Sequence, residues 1–285
     1  MDVVHIVGAS GRSGGALCRA LLADGRTVVP VVRSAERWAT LGIPLTPRVA
    51  NLEAPSTLRS ALADASIVVS CAHARHASAI LATTDASTRS VFLGSTRRFT
   101  RWPDDHGLGV IAGEAAVLAS HRSAVMLHPT MIYGADGEDV VQRLEGLLRR
   151  LPLIPLPGGG RNLVQPIHQS DVTRCIVSAS TIGWQKPQAI VIAGPSPVSY
   201  IKFIRAIARH AQLPPPRIVG VPAWAMMAAA PLTRIVPGVP SVHAAEIRRL
   251  LEDKAFPVDE MKAILGVIPI SLNDGLSQTF TQGRT

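Results

Sequence analysis

An apolar run, Val3-Val4-His5-Ile6-Val7, leads directly into Gly8, Gly11 and Gly14, three glycines spaced three apart. No other stretch constrains the chain as strongly, because it predicts a strand, a tight turn and the start of a helix in twelve residues. Gly8 suits the turn, Gly11 lets backbone N–H groups approach a pyrophosphate, and Gly14 lets the helix pack close on the strand. Ser10, Arg12 and Ser13 fill the turn and join the glycines as candidate cofactor contacts. Ala16, Leu17, Ala20 and Leu21 follow on one helical face. The spacing is G-x-x-G-x-x-G, not the commoner G-x-G-x-x-G, so the flanking strand and helix carry the reading.

Which dinucleotide such a turn holds is decided at the end of the second strand, Thr27 to Arg33. An acid there would bond a ribose 2′-hydroxyl, whereas arginine accommodates a 2′-phosphate. The residue is Arg33, with Arg12 and Arg37 nearby, and guanidinium forks match phosphate oxygens. The expectation is NADP(H) in preference to NAD(H).

Composition narrows the class. A hydrophobic content of 47% over 285 residues excludes a disordered chain and allows one large α/β domain, or a dinucleotide domain with a smaller lobe. The net charge of +9 is spread along the chain and aromatics are only 4%, which argues against nucleic-acid binding. A basic surface of this kind attracts anionic cofactors, substrates or lipid. Cys18, Cys71 and Cys175 lie far apart in apolar contexts without metal-ligand spacing, as reduced core residues of a cytoplasmic protein would. Because Val3 already belongs to the first strand, no leader peptide is expected before it. The most apolar stretch, 218–232, is too short to span a bilayer and is broken by Pro222 and Pro231. It reads either as a packed helix of the second lobe or as a patch resting on a membrane or a protein complex.

Apolar runs at Val28 to Val32, Ile67 to Val69, Val91 to Leu93 and Ala124 to Leu127 alternate with helical segments at Ser56 to Ala63 and Gly113 to Ser120. That alternation predicts an α/β fold, a Rossmann-type doubly wound parallel sheet. A Pro- and Gly-rich loop from Pro152 to Asn162 suggests that residues 1–151 form the nucleotide-binding part. Residues 152–285 would complete the sheet and form a smaller substrate-side lobe. There, a helix opens at Ser170-Asp171, a strand covers Ala189 to Ile192, a helix covers Ser199 to Gln212, and three short helices fill Ser241 to Phe280.

Several segments together carry a resemblance over almost the full length: the glycine turn, Arg33, Leu93-Gly94-Ser95-Thr96, Glu114, His128 to Gly134 and Gln165 to Asp171. The chain resembles the short-chain dehydrogenase/reductase superfamily, and most of all its extended and atypical branches. Those branches include epimerase-like proteins and relatives of the NADPH-binding accessory subunit of respiratory complex I. Active members of that family use a Tyr-x-x-x-Lys pair as general acid/base, just before a glutamate similar to Glu114. This chain lacks both residues: its tyrosines are Tyr133 and Tyr200, and its first lysine is Lys186.

Without the pair, hydride transfer needs another proton source, because an unassisted phenol with a pKa of about 10 is a poor one at neutral pH. His106 is the titratable group nearest the missing pair and is the candidate catalytic acid, with His73 and His76 behind it. Tyr133 has a mainly structural place in the resemblance. The resemblance also implies that Ser95 orients a substrate carbonyl, with Thr96 beside it, unless the hydroxyl only satisfies the strand end. Arg97, Arg98 and Arg101 follow at a strand's carboxyl end, where an anionic or carbonyl substrate would sit. Arg161 and His168 are further candidate substrate contacts, and Asp171 a candidate helix cap. Two functions stay open here: an oxidoreductase or epimerase-like enzyme with nonstandard proton chemistry, and a noncatalytic NADPH-binding structural or sensor protein.

Overall fold

The computed structural model describes residues 3–135, 139–151, 153–230 and 244–282. Its first strands are β1 (Val4–Val7), β2 (Val28–Val32), β3 (Arg48–Val49), β4 (Ile67–Ser70), β5 (Arg89–Leu93) and β6 (Ala124–Pro129). Four short ones follow: β7 (Ile132–Tyr133), β8 (Leu153–Pro157), β9 (Leu163–Val164) and β10 (Ile167–His168). The last are β11 (Gln188–Ile192), β12 (Val198–Ser199) and β13 (Arg217–Val221). Between them lie α1 (Arg12–Ala23), α2 (Ala35–Ala39), α3 (Pro55–Leu62), α4 (Ala77–Thr83), α5 (Asp105–Leu118) and α6 (Asp139–Arg150). The second half adds α7 (Gln169–Thr181), α8 (Tyr200–His210), α9 (Ala223–Ala229), α10 (Ala244–Leu250), α11 (Asp259–Leu265) and α12 (Leu272–Gln282).

Seven strands form one parallel sheet in the order β11-β6-β5-β4-β1-β2-β3. The expected Rossmann-type doubly wound α/β sheet is therefore present. Its strands are apolar on both faces because helices cover both sides, so successive residues serve different cores. Val4 and Ile6 pack with Leu17, Cys18 and Leu21 of α1 and with Val172, Cys175 and Ile176 of α7. Val7, one residue on, packs with Leu58 and Leu62 of α3, Phe92 of β5 and Val117 of α5. A separate core of the later lobe joins Tyr133, Val141, Phe203, Ile207 and Leu276.

Three sequence expectations change. The helix expected at 113–120 begins eight residues earlier, because the Asp104 carboxylate caps it by accepting the Gly107 N–H at 2.9 Å. His106 therefore lies in a helix's first turn and not in a loop. The segment expected as a packed helix over 218–232 is instead strand β13, paired in parallel with β8, then Pro222 and helix α9. Pro222 has no N–H to give the strand and starts the helix, none of whose residues is buried. Its Trp224 is 72% exposed, and Pro231 and Leu232 lie outside the described residues, as do Pro152 and Ser241.

Asp171 does not cap α7. The cap is His168, which accepts the Ser170 N–H, whereas the fully buried Asp171 accepts the Ile270 N–H at 3.0 Å and pairs with Arg174. It thereby ties the tail to α7. Two more such ties follow: Gln165 exchanges bonds with the Phe256 backbone, and Asp253 accepts the Leu163 N–H at 2.8 Å. The tail is strapped to α7 and to the segment 163–165. Among the described residues no helix is long and apolar enough to cross a membrane.

Candidate active site

Two clefts open where the sheet strands end. The first, of about 560 Å³, lies at the switch point between β1 and β4, where parallel sheets bind ligands. It is lined by Gly8, Ser10 and Gly11 after β1, Arg33 and Arg37 after β2, Asn51 to Glu53 after β3, and Cys71 to His73 after β4. Gly8 sits at φ +77°, and a Cβ there would lie 2.9 Å from the Ala72 nitrogen, so only glycine makes this turn beside β4. Helix α1 starts at Gly11 with no side-chain cap and no acid in its first turn. Its leading amides are thus presented to an anion without a competing carboxylate. These features fit a dinucleotide pyrophosphate.

The remaining turn residues divide by role. A Cβ on Gly14 would sit 2.4 Å from the Gly8 oxygen and 2.8 Å from the Ala9 Cα, so Gly14 serves the packing of α1 on β1. Ser13 is buried and its hydroxyl donates to Gln169 Oε1 at 3.4 Å, which directs the side chain to α7. Arg12 is exposed at the head of α1, outside the lining of the cleft. Burial pushes the Cys71 thiol up to about 12, so it lines the cleft as an inert thiol.

The second cleft, of about 970 Å³, runs from the end of β5 to the tail. Ser95, Thr96, Arg97, Phe99 and Arg101 form one wall, Thr130 and Met131 the floor after β6, and Arg248, Arg249 and Leu251 to Phe256 the far wall. Ser95 accepts the Arg97 N–H at 3.1 Å, and Thr96 donates to the Pro129 carbonyl at 3.2 Å. Of the expected substrate contacts, Thr96 and Arg97 lie here. Arg161 does not: it is exposed at the end of the Gly158–Gly160 turn. Nor does His168, which is buried edge-on against Tyr133 with Nδ1 2.7 Å from the Ser170 hydroxyl.

Behind Ser95 is a polar cluster only partly anticipated from sequence. Glu114 Oε2 lies 2.7 Å from His128 Nε2 and 2.6 Å from Arg98 Nε. His128 Nδ1 accepts the Ser95 N–H at 3.2 Å, so its proton is on Nε2, the nitrogen nearest Glu114. Burial, reinforced by Arg98, lowers the His128 pKa to about 4, and burial raises that of Glu114 against the pull of Arg98. The neutral imidazole thus anchors the backbone of Ser95. Its sequence signal was a histidine in a strand that is otherwise apolar.

The other pair lies at the edge of the first cleft, which His73 lines. His73 Nε2 lies 3.1 Å from His106 Nδ1, and His73 Nδ1 accepts the Arg75 N–H at 3.1 Å. His73 therefore donates to His106. The two meet because Gly109 and Gly113 let α5 lie against His73 and Ala74: a Cβ on Gly113 would sit 2.1 Å from the Ala74 oxygen. Burial first and the Arg97 charge second lower the His106 pKa, and burial with the neighbouring His106 lowers that of His73 to about 4. Both shifts favour the neutral form of the two rings. Among the described residues no three His, Cys, Asp or Glu side chains are placed to hold a metal ion.

A glycine turn at the switch point of a parallel sheet is the geometry of a dinucleotide-binding fold. Residues 8–124 match the NAD(P)H-binding family. No curated protein sequence matches the chain. Among solved structures, the chain is similar to the NADPH-dependent quinone oxidoreductase QOR2 of Escherichia coli complexed with NADPH, at 14% identity and TM-score 0.75, covering 97% of this chain and 99% of that one. The UDP-glucose 4-epimerase of Thermotoga maritima with UDP-glucose is 14% identical, with TM-score 0.73 and coverage of 99% and 98%. A short-chain dehydrogenase/reductase superfamily protein from Agrobacterium tumefaciens with bound NAD is 16% identical, with TM-score 0.70 and coverage of 99% and 97%. The whole chain thus has the fold shared by short-chain dehydrogenase/reductases and nucleotide-sugar epimerases.

Proposed function

We propose that the chain is an atypical NADP(H)-dependent oxidoreductase of this fold, acting on a small anionic or carbonyl compound. The observation that carries the cofactor choice is the pair Arg33 and Arg37, which line the cleft beside Gly8 and Gly11. Two guanidinium groups after β2 complement a 2′-phosphate and have no use for a 2′-hydroxyl. When bound, the dinucleotide supplies a hydride. Ser95, held by His128 and set at the mouth of the second cleft, orients the substrate, and the glycine turn with the α1 amides holds the pyrophosphate.

One observation favours a second reading, a noncatalytic NADPH-binding protein. The helix on which family members carry Tyr-x-x-x-Lys holds neither residue here, and its glycines pack on Ala74 instead. Fluorescence titration with NADPH and NADH side by side tests the cofactor assignment. NADPH binds more tightly, and Arg33→Ser weakens NADPH by roughly 10- to 100-fold, the worth of one or two charged hydrogen bonds, while leaving NADH unchanged. Equal affinities in the parent protein refute it. NADPH consumption with a carbonyl panel then supports the enzyme; a raised Tm with no consumption supports the binding protein.

A further inference from the structure

The far wall of the second cleft presents a group suited to the proton transfer that the missing pair would have performed. An imidazole, phenol or thiol would be the usual donor, and among the described residues none of them lines the cleft. Its arginines stay protonated at any working pH and cannot give up a proton. Its two carboxylates are committed to the chain. Glu252 accepts the Thr100 hydroxyl and the Arg101 N–H, each at 2.7 Å, and Asp253 accepts the Leu163 and Asn162 N–H groups.

Lys254 remains. It is half-buried in that wall, whereas Lys186, Lys202 and Lys262 are exposed elsewhere. Burial lowers its pKa, with Arg249 and Arg97 adding to the shift and Glu252 opposing it. Around it the exposed Arg101 and Arg248 present positive charge, and Arg248 is held over the Trp102 ring at 4.9 Å.

We infer that this cleft takes a small anionic carbonyl compound, its phosphate or carboxylate on Arg101 and Arg248 and its carbonyl oxygen at the Lys254 ammonium. The inference rests on the reductase reading above. As the carbonyl carbon accepts hydride from the bound reductant, the π pair moves to oxygen. There it takes a proton from Lys254; an N–H bond breaks, an O–H bond forms, and water reprotonates the amine. Lys254 thus does the work of the absent phenol from the opposite side of the cleft.

Pyridoxal 5′-phosphate, an anionic aldehyde, followed by borohydride and peptide mapping, tests this on the full chain. The expected result is roughly tenfold more adduct at Lys254 than at any of the other three lysines, because the phosphate holds the aldehyde beside the amine. Adduct formation at Lys254 also begins at a lower pH than at the others. Pyridoxal without the phosphate loses the preference. An even distribution over the four lysines, a shared pH dependence, or equal preference with pyridoxal overturns the inference. A parallel NADPH titration separates the two readings. Binding of NADPH without selective labelling removes the Lys254 assignment alone, whereas selective labelling without NADPH binding leaves the anion site and removes the reduction.

Discussion

The buried neutral His128 makes the protein sensitive to mild acid in a way that can be calculated. An unfolded histidine titrates near 6.5, and in the fold this one is lowered to about 4 at 2% exposure. The unfolded chain therefore takes up the proton first. Stability from this group is fully present above pH 6.5, falls as the pH drops from 6.5 toward 4, and is level below that. Between pH 7 and pH 5 the loss is about 2 kcal/mol. Glu114 works in the opposite sense, since its raised pKa lets the fold gain a proton as the pH falls. His128→Gln isolates the histidine, because glutamine is a polar side chain of similar reach that does not titrate. Urea unfolding of both proteins at pH 7, 6 and 5 gives the difference directly. The parent chain should lose about 2 kcal/mol more than the variant over this range, equivalent to roughly 4–8 °C in Tm. Parallel stability curves would refute the neutral, buried imidazole and with it the proposed anchoring of Ser95.

Two further substitutions probe the cofactor turn and the strap. Gly14→Ala puts a methyl group 2.4 Å from the Gly8 oxygen, a backbone atom that cannot rotate away. The cost is about 1–3 kcal/mol from overpacking, and NADPH affinity falls because the turn and helix separate; an unchanged melting curve counts against the packing role. Asp171→Ala removes the acceptor of the Ile270 N–H and the partner of Arg174. About 3 kcal/mol is lost, and hydrogen exchange at the Ile270 amide rises; unaltered protection there means the tail is held by other contacts.

What could be read from the chain alone was what is local or buried on both faces. β1, β2, β4 and β6 were visible because parallel strands under two helical layers must be apolar throughout. The glycine turn was visible because a turn needs only neighbours in sequence. The start of α5 was not, since Gly107-Leu108-Gly109 has poor helical propensity and is held by the Asp104 cap and by packing of Gly109 on His73. β13 was read as helix because a short apolar run suits either element, and only its pairing with Leu153 to Pro157 decides. Ser13 and His168 looked like ligand contacts by position, yet their partners, Gln169 and Tyr133, come from other elements. The far wall of the second cleft carries no motif at all. Glu252 meets Thr100 across 152 residues of chain, a distance over which no pattern in the sequence reports.

The strapped tail has a consequence for how such a protein changes over time. The first cleft is lined from residues 7 to 76, whereas the second takes its far wall from 248–256. The two are therefore built from separate stretches of the chain. Substitutions or short insertions in the tail can alter what is accepted as substrate while the dinucleotide turn and the seven-stranded sheet stay as they are. An engineer seeking a new specificity on this scaffold has the segment 248–256 to vary, keeping Asp253, which ties it to Leu163, and Gln165, which holds the Phe256 backbone at its end.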